Sequence, residues 1–215
     1  MSTPAHARPA EHLASYAQQR HAATLGMWVF LATELMFFGP LFLGYTYGRV
    51  QFPDAYAEAS RHTDVVLGTI NTAVLLTSSA FMAAAVAARR AGSRPASRRL
   101  LWVTAALGIV FLCIKGVEYA HDWSAYLVPG LRFAYNSPHA GAVESFFYLY
   151  FAMTGLHALH LAIGITMTVV FALALRGSGG MANAERLEIA GLYWHFVDAI
   201  WIVLYPILYL VGRNA

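Results

Sequence analysis

The stretch GLYWHFVDAIW, residues 191–201, decides the fold of this chain. It lies at the centre of an apolar run, Leu187 to Val211, that also carries ionisable side chains. On an α-helix, Glu188, His195 and Asp198 share one face, because positions three and four residues apart are neighbours. Lipid cannot satisfy that face, since a charged group at the bilayer centre costs about 2.5 to 3.5 kcal/mol. We therefore expect a membrane-spanning helix whose polar face lies against other protein.

Four further runs of the chain are long and apolar enough to cross a bilayer. The hydrocarbon core is about 30 Å thick and requires about 20 residues of helix. The composition, with 59% hydrophobic and 12% charged residues in 215, is that of an integral membrane protein. We predict an all-α polytopic protein in which a polar N-terminal segment, residues 1–23, precedes a single five-helix bundle, residues 24–213. The predicted spans are residues 25–47, 65–88, 100–119, 143–175 and 187–211.

The arginines predict the orientation of this bundle. One group lies before the first span and in the loops after the second and fourth spans: Arg8, Arg20, Arg89, Arg90, Arg94, Arg98, Arg99, Arg176 and Arg186. A smaller group lies on the other side: Arg49, Arg61, Arg132 and Arg213. Since short cytoplasmic loops carry the excess of basic residues, we predict a cytoplasmic N-terminus and a C-terminus outside. The basic residues thus mark topology and do not indicate a nucleic-acid partner.

The first span carries Glu34 near its middle. An ionisable residue inside a membrane helix is a candidate functional group, because its burial is costly and demands a partner or a role. Two interpretations are open at this point. Glu34 is either a hydrogen-bonded structural carboxyl or a group that handles protons or lipid.

The third and fourth spans contain further polar pairs. Lys115 and Glu118 lie near the outer end of the third span, where they can pair or extend towards the lipid headgroups. His157 and His160 lie beside small residues that let helices approach closely. A metal or haem site built from these two histidines and His195 is one interpretation, and an interhelical hydrogen-bond network is the other. The lack of a ligand motif favours the network, and we expect the polar face of the last span to lie against the two histidines.

Other function classes find little support in the sequence. No nucleophile–base pairing, phosphate loop or nucleotide-binding motif is present. A transporter would typically show broken helices and two matching halves, and neither pattern is evident.

Five motifs, one in each predicted span, resemble the cytochrome c oxidase subunit III family of haem-copper oxidases. They are GMWVFLATELMFF at residues 26–38, NTAVLL at 71–76, Glu118-Tyr119, TGLHALH at 154–160, and Glu188 followed by YWHFVD at 193–198. The motifs occur in the family's order and cover nearly the whole membrane region. The chain resembles the last five helices of the seven-helix members, as the five-helix bacterial form does.

The resemblance implies an accessory subunit without catalytic residues, haem, copper or another metal of its own. It would dock on the catalytic subunit I of a respiratory terminal oxidase, which reduces oxygen to water and pumps protons during aerobic electron transport. The haem and copper are expected on partner subunits, in the cytoplasmic (inner) membrane of a bacterium. The family also implies bound phospholipids and a role in proton uptake and turnover stability.

The resemblance further assigns roles to individual residues. Glu34 matches a buried carboxyl related to protons and lipid. A structural polar network inside the bundle is assigned to Glu118, His157, His160, Glu188, His195 and Asp198. Lys115 and Glu144 match no part of the family pattern and receive no role. Two alternatives stay open, a subunit III-like partner of a nitric oxide reductase and an independent membrane haem or metal protein.

Overall fold

The computed structural model describes residues 16–130, 133–135, 138–177 and 183–211. Within these ranges the chain forms no β-strand and six α-helices: α1 (Tyr16–Gln51), α2 (Pro53–His62), α3 (Val65–Arg90), α4 (Arg94–Ser124), α5 (Ala140–Ala174) and α6 (Ala184–Tyr205). A π-helical turn, Pro206–Leu210, continues α6 and is called the π-turn below. All of the α-helices except α2 are long and apolar enough to cross a bilayer, α6 together with the π-turn. The prediction of an all-α fold with five membrane-spanning helices is confirmed.

Several helices extend beyond the predicted spans, because helical backbone continues into the polar residues that flank the hydrocarbon. The first helix begins at Tyr16, within the predicted polar segment, of which residues 1–15 lie outside the described residues. α4 begins at Arg94, six residues before the predicted span. α6 begins at Ala184, and the side chain of Asn183 caps its first turn. Apolar length therefore located the spans but not the helix ends.

The short helix α2 lies across the end of the bundle where α1 stops. Its buried side is formed by Ala55, Tyr56, Ala59 and Ser60, and it packs on α1, α5 and the π-turn. Tyr56 is fully buried, and its ring lies directly over Gly48 of α1. A Cβ atom at Gly48 would overlap the Tyr56 hydroxyl oxygen, so the α1–α2 corner requires glycine there.

Two tryptophans anchor α6 in the centre of the bundle. Trp194 and Trp201 are 1% and 0% exposed. A Cβ atom at Gly108 of α4 would lie 3.0 Å from the Trp194 ring, and one at Gly164 of α5 would lie 3.2 Å from it. Glycine at both positions therefore leaves room for the ring. The Trp201 indole N–H donates to the hydroxyl of Thr72 on α3 at 3.1 Å. Small residues thus let large rings fill the interfaces, which matters in lipid because dispersion contacts drive helix association there.

The π-turn joins α1 and α2 to the end of α6. Pro206 has no N–H, and the wider register of a π-turn displaces the backbone, so carbonyl groups near it can accept bonds from other helices. Tyr45 of α1 donates to the carbonyl oxygen of Ile207. Ser60 of α2 donates to the carbonyl oxygen of Leu208 at 3.0 Å. The turn is therefore a junction of three helices rather than a frayed end.

The loop between α4 and α5 is fastened to α2. The Tyr135 hydroxyl donates to Oε1 of Glu58 at 2.7 Å, and its oxygen lies 2.9 Å from Nε2 of His62. Burial and the neighbouring Glu58 carboxylate raise the pKa of Tyr135 to about 12, so the phenol keeps its proton and remains a donor at neutral pH. The backbone N–H of Gly130 donates to Oε1 of Glu144 at 3.1 Å, which gives Glu144 a loop-fixing contact.

Candidate functional site

Glu34 of α1 and His160 of α5 form a hydrogen-bonded pair within the membrane-spanning region. Oε2 of Glu34 lies 2.9 Å from Nε2 of His160, and Nδ1 of the same ring lies 2.8 Å from the carbonyl oxygen of Leu156. A carbonyl oxygen only accepts, so Nδ1 carries a hydrogen. Nε2 and the carboxyl oxygen can then bond only if one further proton lies between them. The pair holds this shared proton either as imidazolium and carboxylate or as neutral imidazole and carboxylic acid.

The surroundings of this pair leave it partly accessible. The side chains of Glu34 and His160 are 18% and 12% exposed. Tyr193 of α6 donates to the backbone carbonyl of His160 at 3.0 Å, and the ring of Phe38 lies 5.5 Å from the imidazole. The Phe38 ring and the Leu156 carbonyl thus fix the imidazole, while the carboxyl group stays partly exposed.

A second cluster joins Lys115 and Glu118 of α4 to Tyr150 of α5 and Tyr209 of the π-turn, and we call it the lysine cluster. The ammonium nitrogen lies 3.1 Å from Oε2 of Glu118, 3.0 Å from the Tyr150 hydroxyl and 2.7 Å from the Tyr209 hydroxyl, which uses all three of its hydrogens. Both phenols donate to Oε1 of Glu118, each at 2.7 Å. A charge pair can be buried in this way because its hydrogen-bond donors and acceptors all have partners.

Of the two arrangements that the sequence left open for Lys115 and Glu118, the structure shows the ion pair, and neither side chain extends towards the headgroups. They are only 3% and 2% exposed. The ammonium group lies 4.8 to 5.6 Å from the ring centroids of Tyr119, Tyr150, Trp201 and Tyr209. One turn further along α4, Asp122 is also buried beside the cluster, although no sequence motif marks it. A residue with no family role therefore lies at the centre of the densest polar contact in the described chain.

The polar face of α6 lies against α3, and the prediction that it lies against the two histidines of α5 is wrong. Glu188 pairs with Arg90, and Nδ1 of His195 lies 2.7 Å from the hydroxyl oxygen of Ser79. Asp198 is 3% exposed and lies close to the same Ser79 hydroxyl. The three residues do share one helix face, as helical periodicity predicts. Periodicity does not predict which neighbouring helix packs against that face.

The two histidines of α5 point to different neighbours. His160 bonds to α1, whereas His157 packs between Phe111 of α4 and Trp201 of α6, with ring centroids 5.4 and 5.1 Å away. His157 is 1% exposed, and within the described residues neither of its ring nitrogens has a hydrogen-bond partner. Among the same residues, no group of three or more His, Cys, Asp or Glu side chains could hold a metal ion. The histidines are thus dispersed over three interfaces.

Comparison with known proteins establishes the family. The pattern of the cytochrome c oxidase subunit III family matches residues 12–213. The chain belongs to this family. The family prediction made from the five motifs is therefore confirmed.

Individual relatives of the chain carry oxidase names. Cytochrome c oxidase subunit 3 of Alkalihalophilus pseudofirmus is 33% identical over 192 residues, 87% of this chain and 86% of that protein. Cytochrome c oxidase subunit 3 of Thermostichus vulcanus is 33% identical over 192 residues, 88% of this chain and 87% of that protein. A probable quinol oxidase subunit 3 of Staphylococcus saprophyticus is 31% identical over 194 residues, 87% of this chain and 88% of that protein.

In this subunit III chain, sequence reasoning missed the tyrosines that complete the polar clusters. Tyr150, Tyr193 and Tyr209 each bond to a polar group of another helix. A buried phenol needs a hydrogen-bond partner, so a tyrosine in the middle of a predicted span indicates a polar contact with another helix. The partner itself could not be read from sequence, because it lies on a helix that is distant along the chain.

Proposed function

We propose that the chain is the accessory, non-catalytic subunit III of a respiratory haem-copper terminal oxidase. The observation that carries the proposal is the family match over residues 12–213, together with relatives named as cytochrome c or quinol oxidase subunits. The complex reduces oxygen and pumps protons, with haem and copper on partner subunits. The chain contacts the catalytic subunit I and supports its proton uptake and its stability during turnover.

The Glu34–His160 pair is the group of this chain that we assign to proton handling. Its one shared proton lies between two atoms 2.9 Å apart, in side chains that remain partly exposed. The shared proton can move between Oε2 of Glu34 and Nε2 of His160 with little movement of heavy atoms. The pair thus serves as a proton reservoir at the surface that faces lipid or the catalytic subunit.

Glu118, His157, Glu188, His195 and Asp198 have a structural role in this proposal, and His160 belongs to both groups. Their contacts join helices, as in the pairs of His195 with Ser79 and Glu188 with Arg90. Such contacts fix helix positions in lipid, where unsatisfied polar groups are costly. No catalytic residue or cofactor is assigned to this chain.

The membrane placement follows from the distribution of arginines. The ends of α3 and α4 that meet between residues 89 and 99 are the arginine-rich side, which we assign to the cytoplasm. The outer side then contains α2, the π-turn and the lysine cluster. We place the protein in the cytoplasmic membrane of a bacterium, where phospholipids bind along its exposed apolar helices.

Affinity purification of the tagged chain from its native membrane tests the proposal. We expect a catalytic subunit with haem and copper to copurify in fixed proportion, and the preparation to consume oxygen with cytochrome c or quinol as donor. Nitric oxide reduction without oxygen consumption would contradict the proposal. So would haem or metal bound to the chain after the other subunits are removed.

A further inference from the structure

The seam between α3 and α6 exposes a polar group near the middle of the membrane. Nδ1 of His195 lies 2.7 Å from the Ser79 hydroxyl oxygen, and the imidazole is only half-buried. At a rise of 1.5 Å per residue, Ser79 lies about 21 Å from the start of α3 and about 16 Å from its end. The pair therefore lies within the hydrocarbon layer, away from both headgroup regions.

The hydrogen bonds of this pair are incomplete. Nε2 of His195 is accessible and has no partner within the described residues. It is a donor if Nδ1 accepts from Ser79 and an acceptor if Nδ1 donates, so either tautomer needs one more partner. Asp198 is 3% exposed and lies close to the same hydroxyl, yet neither of its carboxyl oxygens forms a well-aligned hydrogen bond in the described part of the chain. Hydrocarbon can satisfy none of these atoms.

The exposed side of α3 beside this pair is built mainly from small residues, and we call it the alanine face. Ala73, Ala80, Ala83 and Ala87 recur at helical spacing, and all four are exposed. Ala83 lies one turn from Ser79, so the alanine face adjoins the polar pair. Small residues let a second helix approach closely in lipid.

The first helix presents a different kind of surface. Leu35, Met36 and Phe37 of α1 lie near the middle of its apolar span and are 57%, 77% and 57% exposed. Their side chains are large and apolar, so hydrocarbon chains can cover them without leaving a polar atom unsatisfied. The alanine face, with an unsatisfied imidazole nitrogen beside it, instead calls for protein.

We propose that a membrane-spanning helix of a neighbouring oxidase subunit packs on the alanine face and presents a side-chain hydroxyl or amide to Nε2 of His195. Hydroxyl and amide groups both donate and accept, so they suit either tautomer of the imidazole. The inference rests on the proposed function and deepens it, because it names the face through which the chain contacts the rest of the complex.

Photo-cross-linking of the intact complex in its native membrane tests this face. A diazirine amino acid replaces Ala80 in one variant and Ala106 in another. Ala106 is the matched control, because it is an exposed alanine of α4 at a similar distance from the arginine-rich ends of the two helices. We expect Ala80 to cross-link to another oxidase subunit at a yield roughly tenfold above that of Ala106, because small side chains bring two helices into contact there.

Substitutions test the packing and the polar contact separately. Ala83→Trp should lower the amount of catalytic subunit that copurifies roughly tenfold, because a bulky ring separates the helices. Ala106→Trp should leave that amount unchanged. His195→Phe should also weaken copurification, and His195→Gln should retain more of it, since an amide can still form the hydrogen bond. Each amount is divided by the amount of this chain in the membrane, so a folding defect is not mistaken for weaker binding.

Cross-links from Ala80 only to lipid, to quinone or to a second copy of the chain would overturn the assignment. So would equal yields at Ala80 and Ala106. In these cases the catalytic subunit still copurifies with the unmodified chain, and the proposed function stands. Absence of that subunit from the unmodified preparation is the distinct result that would contradict the proposed function, and the docking face with it.

Discussion

The contact between Glu34 and His160 changes the roles that the sequence suggests for these two residues. The sequence predicts no partner for Glu34 in the first span and places His160 in a network with the last span. Their 2.9 Å contact instead makes them one proton-sharing unit between α1 and α5. The two interpretations of Glu34, structural and proton-handling, then predict different results for the same substitutions.

We predict that Glu34→Ala leaves assembly largely intact. Loss of the hydrogen bond to the partly exposed His160 should lower the stability of the protein by only about 1 to 3 kcal/mol. It should make the oxidase inactivate faster during turnover and take up protons more slowly. Glu34→Gln can still donate a hydrogen bond to Nε2 but cannot exchange a proton, so it should be as defective as Glu34→Ala. Inactivation kinetics and proton uptake by the assembled complex measure both effects.

Glu144→Gln is the control, because Glu144 bonds only a loop N–H in the described structure. It should behave like the unmodified complex. Full recovery of proton uptake by Glu34→Gln would assign Glu34 a structural role.

We predict that Lys115→Met destabilises the protein by about 3 to 5 kcal/mol, because it leaves the Glu118 carboxylate buried without a cation. Lys115→Met combined with Glu118→Gln should recover most of that loss. Arg90→Gln breaks an ion pair whose side chains are 57% and 47% exposed, and it should cost at most about 1 kcal/mol. Thermal unfolding of the purified complex compares the three variants, and equal losses for Lys115→Met and Arg90→Gln would contradict the burial argument.

At the scale of elements, close approach between helices depends on particular glycines. A Cβ atom at Gly108 of α4 would lie 2.9 Å from Ile165 of α5 and 3.0 Å from the Trp194 ring. At Gly116 on the same helix, a Cβ atom would meet nothing within 4 Å. Both positions are glycine on the same helix, but only Gly108 is closely packed against its neighbours.

We predict that Gly108→Ala lowers the unfolding free energy by about 1 to 3 kcal/mol through overpacking. Gly116→Ala should be neutral or slightly stabilising, because alanine favours the helix more than glycine does. Heat stability of the assembled complex distinguishes the two variants. A similar gain in stability at both sites would mean that helix propensity, and not packing, governs α4.

The π-turn is the element on which the outer half of the bundle converges. We predict that Tyr45→Phe loosens α1 there and costs about 1 kcal/mol, because the Ile207 carbonyl loses its donor. Tyr47→Phe is the control, since Tyr47 is 68% exposed on the same helix. Hydrogen exchange of the α1 and π-turn amides should rise in the first variant only, and unchanged exchange in both would contradict the junction.

At the scale of the whole molecule, the proposed orientation has a direct test. We predict that a cysteine in place of Asp54, on the exposed start of α2, reacts with a membrane-impermeant maleimide in intact cells. A cysteine in place of Ser93, between α3 and α4, should react only after the cells are opened. Both variants carry Cys113→Ala, and the reverse pattern would invert the topology.

The features that could be predicted from the sequence are those that depend on neighbouring residues along the chain. The apolar runs located the spans, because the length of a helix in lipid is set by bilayer thickness. The same reasoning failed for α2 and the π-turn, since a five-residue turn and a ten-residue surface helix leave no long apolar signature. It also failed to find the partners of His195 and Glu188, which lie on α3.

The sequence by itself determined the membrane class, the five spans, the polar face of the last helix and the family. These follow from hydrophobic length, helical periodicity and motif order, which are all local or linear properties. Only the tertiary structure decided that Glu34 meets His160, that Lys115 is enclosed with Glu118, and that the GLYWHFVDAIW helix turns its polar face to α3. Those contacts join residues far apart in the chain, and they depend on how helices rotate and cross, which side-chain packing in lipid sets.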